Sequence, residues 1–365
     1  MVNVANWLAR RAAVDGARPA LHAGREAVAD YATFHARAGA VAAWLEARAI
    51  TPGARVAIAM RNCPDYLCVL YGIWYAGAVA VPINAKLHAR EMAWILSDSG
   101  ADVVFATPRI AADLHAQDPA AEVVTLDGTG GAHAVFAAEP VAAPRARGPG
   151  DLAWLFYTSG TTGTPKGVMI THRMLAAMAL SYFADVDTVR AEDCALYAAP
   201  MSHGAGLYNL MHVLKGARHV CPASGGFDAG EVLDLAAHFG NVHMFAAPTM
   251  VQRLTARARA DGAPGTGLRS VIYGGGPMYQ ADITAAVDHF GPVFIQIYGQ
   301  GECPMCITAL PRETVADRAH PRWRERLGSV GRAQSVSTVA ISDGAGGFAP
   351  PGTEGEIMVR GDAVM

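Results

Sequence analysis

The chain has 365 residues, which is enough for one large domain or for two or three smaller ones. Hydrophobic residues make up 52% of it and charged residues 17%, so a disordered chain is excluded and an extensive core is expected. The formal net charge is -3, from 29 basic and 32 acidic side chains, and no run of five like charges occurs, so nothing indicates a nucleic-acid partner.

The first expected elements are an amphipathic helix and a long apolar stretch. Residues 1–16 have a helical pattern and lack the basic start, the continuous apolar run and the cleavage site of a signal peptide. Residues 66–83 are apolar over about the length that spans a bilayer, but Gly72, Gly77 and Pro82 interrupt them. We therefore expect a buried helix, a turn near Gly77 and a short strand that ends at Pro82, rather than a membrane span.

Short apolar runs typical of strands alternate with segments of helical period through most of the chain. The strand candidates are residues 55–60, 101–106, 122–126, 152–157, 242–247, 270–275 and 293–298. Several of them are apolar on both faces, as strands between two layers of helices must be. Helix candidates such as residues 88–99 and 281–290 end at Gly100 and Gly291. This alternation predicts an α/β fold with parallel sheets that carry helices on both faces.

The composition changes twice along the chain. Residues 128–150 are rich in Ala, Gly and Pro and have weak periodicity, which is typical of a surface excursion. After about residue 328 the pattern becomes that of antiparallel strands joined by Gly and Pro turns.

The six cysteines and the absence of a secretory signal indicate free thiols in a reducing compartment, so we expect a cytoplasmic protein. Cys303 and Cys306 form a C-x-x-C pair, which could be half of a zinc site or a redox pair. No second pair with matching spacing occurs in the sequence, and packing thiols are the favoured interpretation.

The strongest functional signal is the segment from Tyr157 to Val168. A strand that is expected to be buried leads into a loop of Gly, Ser and Thr, which is followed by Pro165 and Lys166. Such a loop brings backbone N–H groups and hydroxyls close to an anion, and Lys166 adds a compact positive charge. The spacing differs from the common P-loop, because Thr164 and Pro165 separate the second glycine from the lysine. A flexible linker is the alternative, but linkers rarely follow a buried strand.

This loop resembles the signature of the adenylate-forming superfamily, which includes acyl-CoA synthetases, luciferases and the adenylation domains of peptide synthetases. In that family the loop wraps the β- and γ-phosphates of ATP. The resemblance implies phosphate binding by Thr158, Ser159, Gly160, Thr161, Thr162, Gly163 and Lys166.

A second element, Gln296 to Glu302, follows an apolar strand. From the residues alone, Tyr298 could stack on a purine or pack in the core, and Glu302 could bind Mg²⁺ or cap a helix. The family pattern here is Tyr-Gly-x-Thr-Glu, and it implies nucleotide binding by Tyr298, Gly299, Gln300 and Gly301 and metal binding by Glu302. Gly301 stands where Thr is usual, so a hydroxyl contact to the α-phosphate is missing.

Two further turns are candidates for the site. Tyr273 precedes three consecutive glycines and a proline, a sequence that suits either a tight turn or a close approach of backbone to a flat ligand. The resemblance favours the second reading and implies that Gly274, Gly275, Gly276 and Pro277 lie against adenine and the acyl group.

His203 lies in a glycine-rich turn, where an isolated histidine is more often structural than catalytic. In acyl-CoA synthetases an aromatic residue or histidine at the matching position lines the carboxylate site. Amino-acid-activating relatives instead carry an Asp in this region, and its absence here favours a plain carboxylic acid as the substrate. No sequence feature gives His172, His212 or His243 a role.

The resemblance covers essentially the whole chain and implies the fold of the large N-terminal domain of this superfamily. The expected parts are two packed parallel-sheet α/β subdomains, residues 1–170 and 171–327, and the start of a small β-barrel-like subdomain, residues 328–365. Relatives continue into a small domain that carries the lysine driving adenylation. We therefore expect this chain to be a shortened version, nearly inactive by itself.

The implied reaction is activation of a carboxylic acid, a small-molecule substrate, by ATP and Mg²⁺ to acyl-AMP, followed by transfer to coenzyme A. Lys166, His203 and Glu302 are the residues expected to take part in catalysis, and Glu302 is the expected metal ligand. The alternatives are another adenylate-forming enzyme, such as an aryl-CoA ligase or a peptide-synthetase-type module, and a non-catalytic nucleotide-binding member. The sequence does not indicate the length of the acyl chain. It also leaves open whether the protein forms a homodimer.

Overall fold

A computed structural model describes residues 3–129, 133–158 and 165–365. The helices are α1 Asn6–Asp15, α2 Tyr31–Glu46, α3 Pro64–Tyr75, α4 Ala89–Ser99, α5 Pro108–His115, α6 His172–Ser181, α7 Gly204–Leu207, α8 Asn209–Lys215, α9 Ala229–Phe239, α10 Pro248–Asp261, α11 Gln280–Phe290, α12 Arg312–Ala316 and α13 Trp323–Leu327. The strands are β1 Pro19–Ala23, β2 Glu26–Asp30, β3 Arg55–Ala59, β4 Val79–Pro82, β5 Ala101–Ala106, β6 Glu122–Thr125, β7 Leu152–Thr158, β8 Lys166–Thr171, β9 Cys194–Leu196, β10 Arg218–Cys221, β11 Val242–Ala246, β12 Leu268–Tyr273, β13 Phe294–Gln300, β14 Cys303–Leu310, β15 Arg332–Ala333, β16 Ser337–Ser342 and β17 Glu356–Gly361.

Two mixed sheets, mostly parallel, form the body of the protein. The six-stranded sheet has the order β6-β5-β3-β4-β7-β8 and is parallel except for the β7–β8 hairpin. The nine-stranded sheet has the order β15-β14-β13-β12-β11-β9-β10-β1-β2, and its inner strands, from β13 to β1, are parallel. The predicted α/β class is confirmed.

Helix α3 fills the space between the two sheets. It contacts β3 and β4 of the six-stranded sheet and β1 and β10 of the nine-stranded sheet, and it packs along α2. Every residue of α3 is buried, which explains why its sequence lacks a polar face. The chain then turns at Gly77, whose φ is 72°, and enters β4. The predicted succession of buried helix, turn and strand is confirmed, and no helix in the part of the chain that the structure describes is long and apolar enough to cross a membrane.

The two ends of the chain contribute the remaining strands. β1 and β2 pair antiparallel, and β1 joins β10 with Leu21 opposite His219. The first strands of the chain therefore belong to the nine-stranded sheet, although most of that sheet follows residue 190. β16 and β17 pair antiparallel in a separate two-stranded sheet, as the change of pattern after residue 328 predicts. The division of the chain at residues 170 and 327 stays a prediction.

Several buried histidines stabilise the nine-stranded sheet and its helices as neutral side chains. His219 on β10 lies 2.7 Å from the Tyr197 hydroxyl and 3.2 Å from the Tyr31 hydroxyl. The Nδ1 of His212 lies 2.7 Å from the carbonyl oxygen of Tyr208 and donates to it. Burial, with a smaller contribution from His243 nearby, lowers the pKa of His212 to about 3.

We expect the free energy of unfolding to fall between pH 7 and pH 5. Imidazoles in the unfolded chain bind protons below pH 6.5, whereas burial lowers the pKa of folded His172 to about 4 and that of His212 to about 3. Each of the two histidines therefore lowers the free energy of unfolding by about 1.4 kcal/mol for every pH unit below 6.5, down to its own pKa in the folded state. Urea unfolding at both pH values measures the loss. The His212→Gln variant, which keeps a donor for the Tyr208 carbonyl, should show a loss smaller by about 2 kcal/mol. An equal loss of unfolding free energy in the wild type and in His212→Gln would contradict the lowered pKa of His212.

Candidate functional site

The Gly/Ser/Thr loop is held by a β-hairpin. Thr158, the last residue of β7, pairs with Lys166, the first residue of β8. Ser159, Gly160, Thr161, Thr162 and Gly163 lie between them, outside the described residues. The two ends of the loop are therefore side by side, and the Lys166 side chain is exposed. The phosphate-binding roles of these residues stay a prediction.

Contacts on both strands fix the direction of this hairpin. The interior of β7 is buried through Ala153 and Trp154. The Tyr157 hydroxyl donates to Asp98 on α4 at 2.7 Å. A side chain at Gly167 would lie 3.1 Å from the Tyr157 ring, so glycine at 167 allows that ring to cover the start of β8. The hairpin is thus tied to α4 through the Tyr157 hydroxyl.

The segment from Tyr298 to Glu302 packs directly against the hairpin. A Cβ atom at Gly301 would lie 3.0 Å from Val168, 3.1 Å from Phe156 and 3.3 Å from Thr158. Because these contacts are tight, Gly301 marks the place where the end of β13 meets the β7–β8 hairpin. Glu302, the next residue, is exposed.

Replacing Gly301 by threonine should therefore not improve nucleotide binding. The added Cβ presses on three side chains of the hairpin, and we expect a loss of about 1–3 kcal/mol in the free energy of unfolding together with unchanged or weaker ATP affinity. Thermal unfolding and ATP calorimetry measure both. Gly301→Ala is the control, because it adds the same Cβ without the hydroxyl. Tighter ATP binding by the threonine variant alone would show that the hydroxyl outweighs the crowding.

A cavity of about 340 Å³ lies beside this junction. The residues around it come from both sheets: Phe156 from the six-stranded sheet, and Phe245, Ile297 and Gly299 from the nine-stranded sheet. The remaining wall residues include Asn84, Ala199, Pro200, His203, Gly204, Ala205, Leu207, Ala247, Met250, Gly274, Gly275, Gln300, Gly301, Pro304 and Met305. Most of this wall is apolar, so the cavity suits an apolar molecule with a polar end.

His203 is part of this wall, as the sequence predicts for a pocket residue. Its Nδ1 lies 2.9 Å from the Ser202 hydroxyl, and its ring meets the edge of Phe156 with centroids 5.2 Å apart. Burial lowers the pKa of His203, so the imidazole is neutral at pH 7. A neutral imidazole can donate a hydrogen bond to a carboxylate without an ion pair. The catalytic role of His203 stays a prediction.

The glycine turn after β12 reaches the same cavity. Gly274 and Gly275 are wall residues, and a Cβ atom at Gly274 would lie 2.7 Å from the Ile297 carbonyl oxygen. Gly275 has a φ of 78°, which disfavours any other residue. Gly276 and Pro277 follow in the turn but are not part of the wall. The predicted contacts of this turn with adenine and an acyl group stay a prediction.

Sequence reasoning missed two side chains that shape the cavity. Phe245 lies near the carboxyl end of β11, where parallel α/β sheets usually bind ligands. Its position in the predicted strand at residues 242–247 could therefore have identified it as a site residue. Met305 lies within β14 in a left-handed conformation, with a φ of 65°. A Cβ atom at Gly204 would lie 2.9 Å from the Met305 Cε and 3.3 Å from the Phe245 ring, so the side chains of Met305 and Phe245 both pack against Gly204.

The fold and the site together define a class of protein: an α/β protein in which the β7–β8 hairpin, which flanks a Ser/Thr/Gly segment, lies beside an apolar cavity. The family model for AMP-binding enzymes matches residues 8–365, so the chain belongs to the family of AMP-binding enzymes. Among its curated relatives is a feruloyl-CoA synthase of Amycolatopsis sp, with 34% identity over 99% of this chain and 70% of that protein. Another is the long-chain-fatty-acid–CoA ligase FadD13 of Mycobacterium tuberculosis, with 32% identity over 100% of this chain and 71% of that protein.

Solved structures agree with this assignment. The chain is similar to the inhibitor-bound N-terminal domain of FACL13 from Mycobacterium tuberculosis, with a TM-score of 0.86, 30% identity and coverage of 100% of this chain and 90% of that one. It is also similar to ATP-bound MatB from Rhodopseudomonas palustris, with a TM-score of 0.82, 27% identity and coverage of 99% and 71%. The expected fold, that of the large N-terminal domain of adenylate-forming enzymes, is thereby confirmed.

Proposed function

We propose that the protein activates a carboxylic acid with ATP, as an acyl-adenylate, and transfers the acyl group to coenzyme A. One observation carries the proposal: the apolar cavity lies where the β7–β8 hairpin meets the segment of Tyr298 to Glu302. A carboxylic acid in the cavity and a nucleotide bound to the hairpin would thus lie next to each other at Gly301. Attack of a carboxylate on a phosphorus atom needs this arrangement, because both reactants must be held in line.

The hairpin and the end of β13 have complementary roles in nucleotide binding. Thr158 and Lys166 would bind the negatively charged polyphosphate, and Tyr298 would offer a ring to the adenine. Tyr298 is held in place by the Gln300 amide, which donates to its hydroxyl at 3.0 Å.

Glu302 is the residue that we propose binds Mg²⁺ together with the nucleotide. Among the described residues no cluster of three acidic, histidine or cysteine side chains forms a ready-made metal site. Mg²⁺ commonly uses one or two carboxylates and the oxygens of bound phosphates, so the exposed Glu302 carboxylate fits this pattern. The metal would supply positive charge that neutralises the polyphosphate.

The cavity favours an acid with an apolar body. His203 and Asn84 are the polar side chains that can orient a carboxylate, whereas Phe245, Met250 and Met305 contact the remainder. The relatives include a feruloyl-CoA synthase, a long-chain-fatty-acid–CoA ligase, an indoleacetate–CoA ligase and a 2-succinylbenzoate–CoA ligase. We propose an acid of this broad group, aromatic or aliphatic, as the substrate.

Pyrophosphate release with MgATP and a panel of acids tests the function, measured on the chain together with the small lysine-bearing domain of its relatives, because the chain by itself is expected to be nearly inactive. The panel contains short, medium and long-chain fatty acids, phenylpropenoic acids and amino acids. Release that depends on one class of acid, with formation of its thioester when coenzyme A is added, supports the proposal and identifies the substrate. ATP binding without release for any acid would favour a nucleotide-binding member that does not catalyse. Release with amino acids would contradict the assignment to plain acids.

A further inference from the structure

Two thiols of the C-x-x-C pair lie close together in the strand that borders the cavity. The Sγ atoms of Cys303 and Cys306 are 4.0 Å apart, and both residues are almost completely buried, at 3% and 1% exposed. The Ser337 hydroxyl lies 3.9 Å from the Cys303 sulfur and donates to the carbonyl oxygen of Cys306 at 2.7 Å. Both thiols are free in the structure.

This proximity is unusual for residues three apart in a strand. Side chains alternate between the two faces of a strand, so residues 303 and 306 would point in opposite directions in a regular β14. Met305, between them, has a φ of 65°, and its left-handed conformation interrupts the alternation. The pairing of β13 with β14 also shifts register between Tyr298 and Gln300, opposite this segment. The irregular backbone therefore brings the two thiols together.

We propose that Cys303 and Cys306 are an oxidisable dithiol, a modification site at which small peroxides form an intramolecular disulfide that displaces Met305 in the cavity wall. Pro304 and Met305, which separate the two cysteines, are wall residues, so a water-sized oxidant in the cavity reaches this segment. The effect on acid activation rests on the proposed function, whereas the formation of the disulfide does not.

The chemistry balances with hydrogen peroxide as the oxidant. One thiol attacks the peroxide oxygen, which gives a sulfenic acid and one molecule of water. The second thiol attacks the sulfenic sulfur, forms the S–S bond and releases the second molecule of water. Two electrons pass from the two thiols to the peroxide, and a dithiol such as dithiothreitol reverses the reaction by exchange.

We expect closing of the disulfide to move the backbone around Met305. The sulfurs have to approach from 4.0 Å to about 2.05 Å. The Met305 backbone packs closely on Gly299, and its side chain lies over Gly204. A shift of residues 303–306 therefore reaches both the wall of the cavity and the Tyr298–Glu302 segment. Misplacement of a reacting group by about 1 Å can cost roughly a hundredfold in rate.

Peptide mapping after peroxide treatment tests the modification. The protein is treated with hydrogen peroxide, denatured, alkylated and digested. We expect Cys303 and Cys306 to lose alkylation together, in a peptide lighter by two hydrogens, at peroxide levels that leave Cys194 on β9 alkylated. Dithiothreitol should restore alkylation. In Cys306→Ser, the Cys303 thiol should stop at the sulfenic acid and react with dimedone, and Cys303→Ser provides a second variant. Continued alkylation of both thiols, at peroxide levels that oxidise Cys194, overturns the proposal.

Two further measurements test the displacement of Met305. Hydrogen exchange of residues 298–306 should change on oxidation in the wild type and remain unchanged in Cys306→Ser. Binding of a non-hydrolysable acyl-adenylate analogue should weaken by about tenfold or more on oxidation. A disulfide that forms without any change in exchange would overturn the structural part of the proposal. An analogue that fails to bind even the reduced protein would count against the proposed function and leave the disulfide result intact.

Discussion

Replacement of Gly299 by alanine is expected to lower the free energy of unfolding by about 3 kcal/mol and to abolish binding of an acyl-adenylate analogue. A Cβ atom at this position would lie 2.8 Å from the Cα of Met305 and 3.0 Å from the carbonyl oxygen of Cys303, and it would also overlap the Met305 backbone nitrogen. These are backbone atoms of β14, so no change of rotamer relieves the overlap. The β13–β14 hairpin must open, and the cavity wall moves with it.

Urea unfolding and calorimetry with the analogue measure the two effects. Gly150→Ala is the matched control, because a Cβ at that exposed position meets nothing within 4 Å. We expect the control to remain within about 0.5 kcal/mol of the wild type. If Gly299→Ala matched the control in both measurements, the close packing of β13 on β14 would not be needed for the site.

Glu302→Gln should have the largest effect on chemistry. The change keeps the size of the side chain and removes its negative charge, so it should weaken the proposed binding of Mg²⁺ without crowding the hairpin. In the chain joined to the small lysine-bearing domain of its relatives, we expect pyrophosphate release to fall by about a hundredfold or more, because charge stabilisation in the transition state is lost. The part of the ATP affinity that depends on Mg²⁺ should also decrease.

Titrations of ATP with and without Mg²⁺ separate this effect from general damage. Glu313→Gln, on the exposed surface of α12, is the control and should behave as the wild type. Loss of activity with an unchanged dependence on Mg²⁺ would assign Glu302 a positioning role. Wild-type activity and affinity in Glu302→Gln would remove Glu302 from the site.

Much of the fold could be predicted from the sequence because its long elements have a clear period. The predicted strand at residues 101–106 coincides with β5, and the predicted helix at residues 88–99 corresponds to α4. The short strands β9 and β10, with three and four residues, were missed because so few residues carry no periodicity. The pairing of β1 with β10 was also missed, because local sequence does not encode a partner far along the chain.

The site was partly predictable for a related reason. Glycine turns and the hydroxyl-rich loop are local patterns, so Gly274, Gly301 and the loop ends could be read directly. The place of Met305 in the cavity wall could not be predicted, because it depends on a left-handed backbone conformation at a residue that is neither glycine nor asparagine. The contact of Phe156 with His203 likewise depends on how two sheets meet, which is a property of tertiary packing.

The pairing of Leu21 with His219 has a consequence for folding during synthesis. β1 and β2 leave the ribosome well before β10, because the partner of β1 is made almost 200 residues later. Until then the β1 edge of this hairpin has unpaired backbone groups, which invite association with other nascent chains. Closing so long a loop costs entropy before its contacts form, so the nine-stranded sheet should be the slow step in folding. Its strands are then the part of the newly made protein that depends most on chaperones.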